Sequence, residues 1–257
     1  MSGQVAAKGL GPPYKKPPIV EAIIAVHFTT PLAEKYIDRF AQRQKDQFPR
    51  SEQRLRVELH FDVATKQQRG RVDKDGYKLR SQNTAQLVII TPSQMGFVQL
   101  APYTQWDELY KGARRQWDAL KKVTDHIALS RVSTRFINRI DVPARSADKS
   151  IDLRKYFSAG LSLPTSLSSM ALKAFNVSCS LVDEKNELMQ VLKLAATPSP
   201  LIDFVSFLLD IDVYTTGPLP GREEDIWSLI NTLQSRKNSL FESFITDDTR
   251  ELFGGVG

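Results

Sequence analysis

This chain of 257 residues is short of the residues that most often carry chemistry: it has one cysteine and three histidines. A single cysteine, Cys179, excludes an internal disulfide, and its neighbours on the same strand face, Val177 and Leu181, predict a buried thiol in a reducing, cytoplasmic compartment. Histidines 27, 60 and 126 stand alone, with no second ligand at metal-binding spacing, so no metal is expected. Gly-x-Gly-x-x-Gly, phosphate-loop, Gly-x-Ser-x-Gly and Cys-x-x-Cys patterns are all missing, and no cofactor is expected. The longest apolar stretch, 204–213, is interrupted by Ser206, Asp210 and Asp212, and residues 1–11 have no apolar core of signal-peptide length. Neither segment is expected to enter a membrane.

What is present describes a globular protein. Hydrophobic residues make up 41% and charged residues 25%, enough to build a core at this length. Lys+Arg exceed Asp+Glu by 35 − 29 = 6, a basic balance that permits a nucleic-acid partner without requiring one.

Residues 1–18 end in Pro12-Pro13-Tyr14-Lys15-Lys16-Pro17-Pro18 and predict an extended, proline-rich arm. Ile19–Phe28 reads as a strand with both faces largely apolar. Thr30-Pro31 predicts the start of a helix with a stripe of Leu32, Tyr36, Ile37, Phe40 and Phe48. Leu55, Val57, Leu59, Phe61 and Val63 then alternate with Arg54, Arg56, Glu58, His60 and Asp62, predicting one buried and one wet face. Asp75-Gly76 predicts a hairpin turn into a strand at 77–80, and 87–91 and 95–101 continue the meander. Thr104 with Asp107 predicts a capping box for a helix carrying Leu109, Ala113, Trp117 and Leu120.

The order then recurs. A strand at 131–142 puts Val132, Thr134, Phe136, Ile140 and Val142 on one face, with Arg131, Arg135, Arg139 and Asp141 on the other. A weak helical region at 151–174 follows, then strands at 175–181, 188–196 and 202–215. The strongest helix has an acidic first turn, Glu223-Glu224-Asp225, and a stripe of Ile226, Leu229, Ile230, Leu233, Leu240, Phe241 and Phe244. Thr246-Asp247-Asp248 caps a last short helix. Strand, helix, meander and long helix thus occur twice, which predicts an α+β fold of two duplicated halves, 19–128 and 129–257, joined in one domain. Each half resembles the unit of the TATA-binding-protein fold and other helix-grip folds, in which long helices lie on one face of a curved antiparallel sheet.

The candidate site is the charged sheet face. Arg54, Arg56, Arg131, Arg135 and Arg139 there either pair with neighbouring acids or present planar donors to phosphate. Glu21 on the first strand is the expected ion-pair partner of Arg139. Tyr77, Phe97 and Tyr103, near Lys78 and Arg80, are placed to stack on bases or, more commonly, to fill a core.

Three segments carry a resemblance: Pro17-Pro18-Ile19-Val20-Glu21-Ala22, Arg135-Phe136-Ile137-Asn138-Arg139-Ile140, and 241–254 with Phe244-Ile245-Thr246 and Phe253-Gly254. The chain is similar over nearly its whole length to a sporadically distributed family of uncharacterised bacterial proteins with a Pro-Pro-Ile-Val-Glu-Ala opening strand and a central Ile-Asn-Arg-Ile segment. The resemblance implies a bacterial or mobile-element gene and brings no activity with it. The leading expectation is a non-enzymatic interaction protein with a protein partner in an operon-encoded complex. Nucleic-acid or nucleotide binding through the arginines is the alternative, and an enzyme of unrecognised type the third.

Overall fold

The computed structural model describes residues 14–62, 65–124, 126–144, 151–158, 166 and 174–254. The protein is α+β with antiparallel strand pairing, and its residues cluster into two compact units: Ile23–Val132, and Met1–Ala22 with Ser133–Gly257. Strand β1 (Ile19–Phe28) gives its first residues to the latter unit and the rest to the former.

In the unit Ile23–Val132, β1 is followed by α1 (Glu34–Arg43), β2 (Arg50–Asp62), β3 (Gln67–Arg80), β4 (Gln86–Ile90), β5 (Gln94–Leu100) and α2 (Trp106–Lys121), with strand order β2-β3-β4-β5-β1. Alternation buries Ala22, Ile24, Val26 and Phe28 on β1, and Val88, Ile90, Met95 and Phe97 share one buried face of β4 and β5. Helix α2 closes on β5 at Gly112, where a Cβ would sit 2.4 Å from the Phe97 ring, so only glycine admits this approach. Helix α1 starts at Glu34 rather than beside Thr30-Pro31, with Ala33 as an extended N-cap and no side-chain cap. The predicted capping box of α2 is not formed either: the Thr104 hydroxyl donates to Glu108 at 2.5 Å and accepts from Gln99 Nε2 at 2.9 Å, leaving Gln105 as N-cap.

The largest departure from expectation is at Asp75-Gly76, which lies inside β3 and makes no hairpin turn. Gln53 faces Tyr77 while Leu55 faces Lys74, so Arg54 on one strand and Asp75-Gly76 on the other form a bulge. Gly76 adopts φ +99°, and a Cβ on it would stand 1.9 Å from the carbonyl oxygen of Ile90. The reversal between β2 and β3 falls just before Gln67, where Lys66 has φ 54°.

In the other unit, β6 (Leu129–Pro143, from Ser133 on), α3 (Leu153–Tyr156), β7 (Asn176–Asp183), β8 (Leu188–Thr197), β9 (Phe204–Thr215), α4 (Glu223–Phe244) and α5 (Asp247–Leu252) give strand order β6-β9-β8-β7. Most of the helix predicted at 151–174 lies outside the described residues. Helix α4 packs on β9 with a face turned from the predicted stripe: Trp227, Ile230, Leu233, Gln234, Lys237 and Phe241 are buried, whereas Ile226, Leu229, Leu240 and Phe244 are half-buried. Thr246 caps α5 as predicted, accepting from the Thr249 N–H at 3.4 Å. Of the predicted arm, residues 1–13 lie outside the described residues; Tyr14 is fixed, its hydroxyl donating to Glu242 at 2.7 Å and its ring meeting Phe253 edge-on. Strand β7 is an outer strand, so Val177 and Leu181 are exposed and Cys179 is only half-buried, in place of the expected buried thiol. Among the described residues no helix is long and apolar enough to cross a membrane.

Candidate functional site

The alternation of β2 is as predicted, but its apolar row is outside. Leu55, Val57, Leu59 and Phe61, joined by Val72 of β3, are between 59% and 65% exposed. The cause is the length of the hairpin. Strand β4 pairs only with Tyr77, Lys78, Leu79 and Arg80 of β3, so 55–62 and 67–74 have each other as ladder partners and extend beyond β4 as a two-stranded ribbon. Residues directly across an antiparallel ladder share a face. Val57 faces Val72, Leu59 faces Gly70, Phe61 faces Gln68 and Leu55 faces Lys74, so one face of the ribbon is an apolar row with a notch at Gly70.

The root of that face is anchored. Lys74 Nζ lies 2.5 Å from Asp38 and 2.8 Å from Glu34 of α1, and the Tyr77 hydroxyl donates to the same Asp38 oxygen at 2.9 Å. The Lys74 hydrogen bond holds the Asp38 carboxyl below the usual range. The bulge lets both Lys74 and Tyr77 reach α1, since their separation of three positions would put them on opposite faces in regular β structure.

The reverse face is charged. Arg56 faces Asp73 and Glu58 faces Arg71 across the ladder, while Arg56 lies 3.3 Å from Glu58 and Arg71 2.7 Å from Asp73 along their own strands. Four charges of alternating sign therefore hold one another in solvent, each pair contributing little to stability, roughly 0 to 1 kcal/mol. Arg54 approaches Asp75 at 3.8 Å across the bulge.

The other candidate arginines have carboxylate or imidazole partners too. Arg131 Nη2 donates to His27 Nε2 at 2.8 Å, and burial, reinforced by that guanidinium, lowers the imidazole to about 4, so the ring accepts as a neutral base. Arg135 makes a two-pronged contact with Asp210, Nε at 2.8 Å and Nη2 at 2.6 Å. Arg139 does not pair with Glu21. Its Nε lies 3.3 Å from Asp141, two positions along the same strand, and the charge of Glu21 acts on Arg135 instead. Asp141 also accepts a short hydrogen bond from the Ser206 hydroxyl.

Of the aromatic residues considered for base stacking, Phe97 is buried and Tyr77 is tied to α1. Among the described residues no group of three or more His, Cys, Asp or Glu side chains is placed to hold a metal ion. Lys237 is the one buried lysine among them, its amine 3.9 Å over the Phe136 ring, and burial lowers it to about 7.

Searches against protein-family models and against curated proteins find no match to this chain. Alternation identifies Arg54 and Arg56 as neighbours on one face of β2, whereas only the pairing with β3 brings Gly70 and Val72 beside Leu59 and Val57. The available signal was polarity: the segment Gln67-Gln68-Arg69-Gly70-Arg71-Val72-Asp73-Lys74 is too polar to cover the apolar row of its partner strand.

Proposed function

We propose that this chain is a non-enzymatic interaction protein that docks a protein through the apolar face of the β2–β3 ribbon, as a component of a bacterial operon-encoded complex. The exposed row Leu55, Val57, Leu59, Phe61 and Val72 carries the reading. Large apolar side chains in one contiguous patch are rarely left in water on a monomer, and a long outer strand that is also apolar on one face invites aggregation unless something covers it. The charged reverse face keeps the ribbon soluble while the apolar face is engaged. The recurrence of strand, helix, meander and long helix in the two units supports a duplicated, TATA-binding-protein-like origin, with the ribbon as an extension of one unit.

The test is purification of the tagged full chain from its native cells beside Leu59→Glu. Leu59 is exposed, so the variant keeps its fold, which far-UV circular dichroism checks. A protein chain retained in stoichiometric amount by the parent and lost by the variant is the expected result. A parent that retains no other protein chain and also fails to self-associate refutes the reading.

A further inference from the structure

Resting on that reading of the ribbon, we infer that the occupant of its apolar face is the same face of a second copy of this chain, the two ribbons stacking about a two-fold axis. Three properties of the face carry the inference. The first is its charge. Of the eight positions that share it, Leu55, Val57, Leu59, Phe61, Gln68, Gly70, Val72 and Lys74, the one charged residue is Lys74, which is neutralised at the root by Asp38 and Glu34. Two copies of net charge +6 repel each other, and this face adds no unpaired basic charge to that repulsion, since Arg54, Arg56 and Arg71 sit on the reverse side or at the bulge. A face selected to hold a basic or acidic partner would carry complementary charge among these positions.

The second is shape. Gly70 leaves a notch beside Leu59, where a Cβ would lie 3.4 Å from Leu59 Cδ2, and the notch sits in the β3 row between Gln68 and Val72, across the ladder from Leu59 of the β2 row. In an isologous contact each copy offers one row of knobs and one row with a gap, so the β2 row of one copy seats over the β3 row of the other and Gly70 receives a large side chain. The third is area. Five side chains about three-fifths exposed leave roughly 500 Å² on each ribbon, and two such faces bury about 1,000 Å², the lower edge of what a specific interface needs. The association is therefore a reversible one, with a dissociation constant in the micromolar range rather than an obligate dimer.

Sedimentation velocity of the purified full chain, from about 1 to 100 µM and in low and high salt, reads the outcome directly. The expected result is a concentration-dependent monomer–dimer equilibrium that is not weakened by salt. Leu59→Glu and Phe61→Glu should each weaken it at least tenfold, whereas Arg56→Gln on the reverse face should leave it unchanged. Gly70→Val, which fills the notch without adding charge, should also weaken it. A parent that stays monomeric across the range overturns self-stacking. If such a monomer still retains a different protein that Leu59→Glu loses, the docking function stands and only the identity of the occupant fails. A dimer that survives Leu59→Glu and Phe61→Glu likewise overturns the inference.

Discussion

The amine of Lys237 lies 3.9 Å above the centre of the Phe136 ring, on the buried face where α4 meets β6. A lysine at that depth is expensive in its charged form. Burial lowers it from 10.5 to about 7, so below pH 7 the folded protein holds a desolvated ammonium. Desolvation of the ammonium, only partly offset by the ring face, therefore costs the folded state on the order of a few kcal/mol.

Lys237→Met therefore stabilises the protein by about 3 kcal/mol at pH 6. The sign follows from the protons bound. Between pH 7 and 10.5 the unfolded chain carries a proton on Lys237 that the folded chain lacks, so this residue makes the parent's stability rise with pH in that window. Urea melts at pH 6 and pH 9.5 should show the gap between variant and parent shrinking at the higher pH. A gap of the same size at both values would mean that the amine is solvated in the folded state.

Gly76→Ala should destabilise by about 2 kcal/mol or more, because the residue holds φ +99° and the added Cβ would meet the Ile90 carbonyl oxygen at 1.9 Å, which is backbone and cannot step aside. Gly70→Ala is the control. It has no positive φ and its nearest neighbour is a Leu59 methyl at 3.4 Å, so its urea midpoint should stay close to the parent's.

The same two glycines show what the sequence made legible. Local patterns placed nearly every element, since the periods of 2 and 3.6 survive in β1, β2, β6 and α2 whatever packs on them. Asp-Gly was read as a turn because that pair commonly supplies positive φ at hairpins, and here it supplies positive φ to a bulge. Alternation in β2 gave the pairing of side chains into faces but not which face is covered, because cover comes from a second layer that the strand itself does not encode. Leu55 and Phe61 look the same in sequence as Ile24 and Phe28, and only the reach of β4 and β5 separates outside from inside. Lys237 has no place in a stripe defined by apolar members, while the buried face of α4 includes Gln234 and Lys237.

Arg135 and Arg139 stand on the same side of β6 and should behave differently. Arg135 is held by both oxygens of Asp210, whose side chain is only 14% exposed, and hydrogen bonding to Asp210 keeps the guanidinium firmly protonated. Arg135→Gln strands that carboxylate, and because the arginine itself is partly in water the cost is about 1 to 2 kcal/mol rather than the larger value of a sealed pair. Arg139→Gln removes one contact from Asp141, which keeps the hydrogen bond of Ser206, so the cost is within about 0.5 kcal/mol. Urea melts of the two single variants separate these outcomes. Filter binding of the parent to single- and double-stranded nucleic acid across a salt series then tests the alternative role for the pair. Arginines committed to Asp210 and Asp141 have little to offer a phosphate, so no steeply salt-dependent affinity that depends on them is expected. Tight binding that weakens with salt, and that Arg135→Gln with Arg139→Gln abolishes at an unchanged melting point, would make the ion pairs a resting state of a phosphate-binding surface; loss of stability without any change in binding is what a structural pair requires.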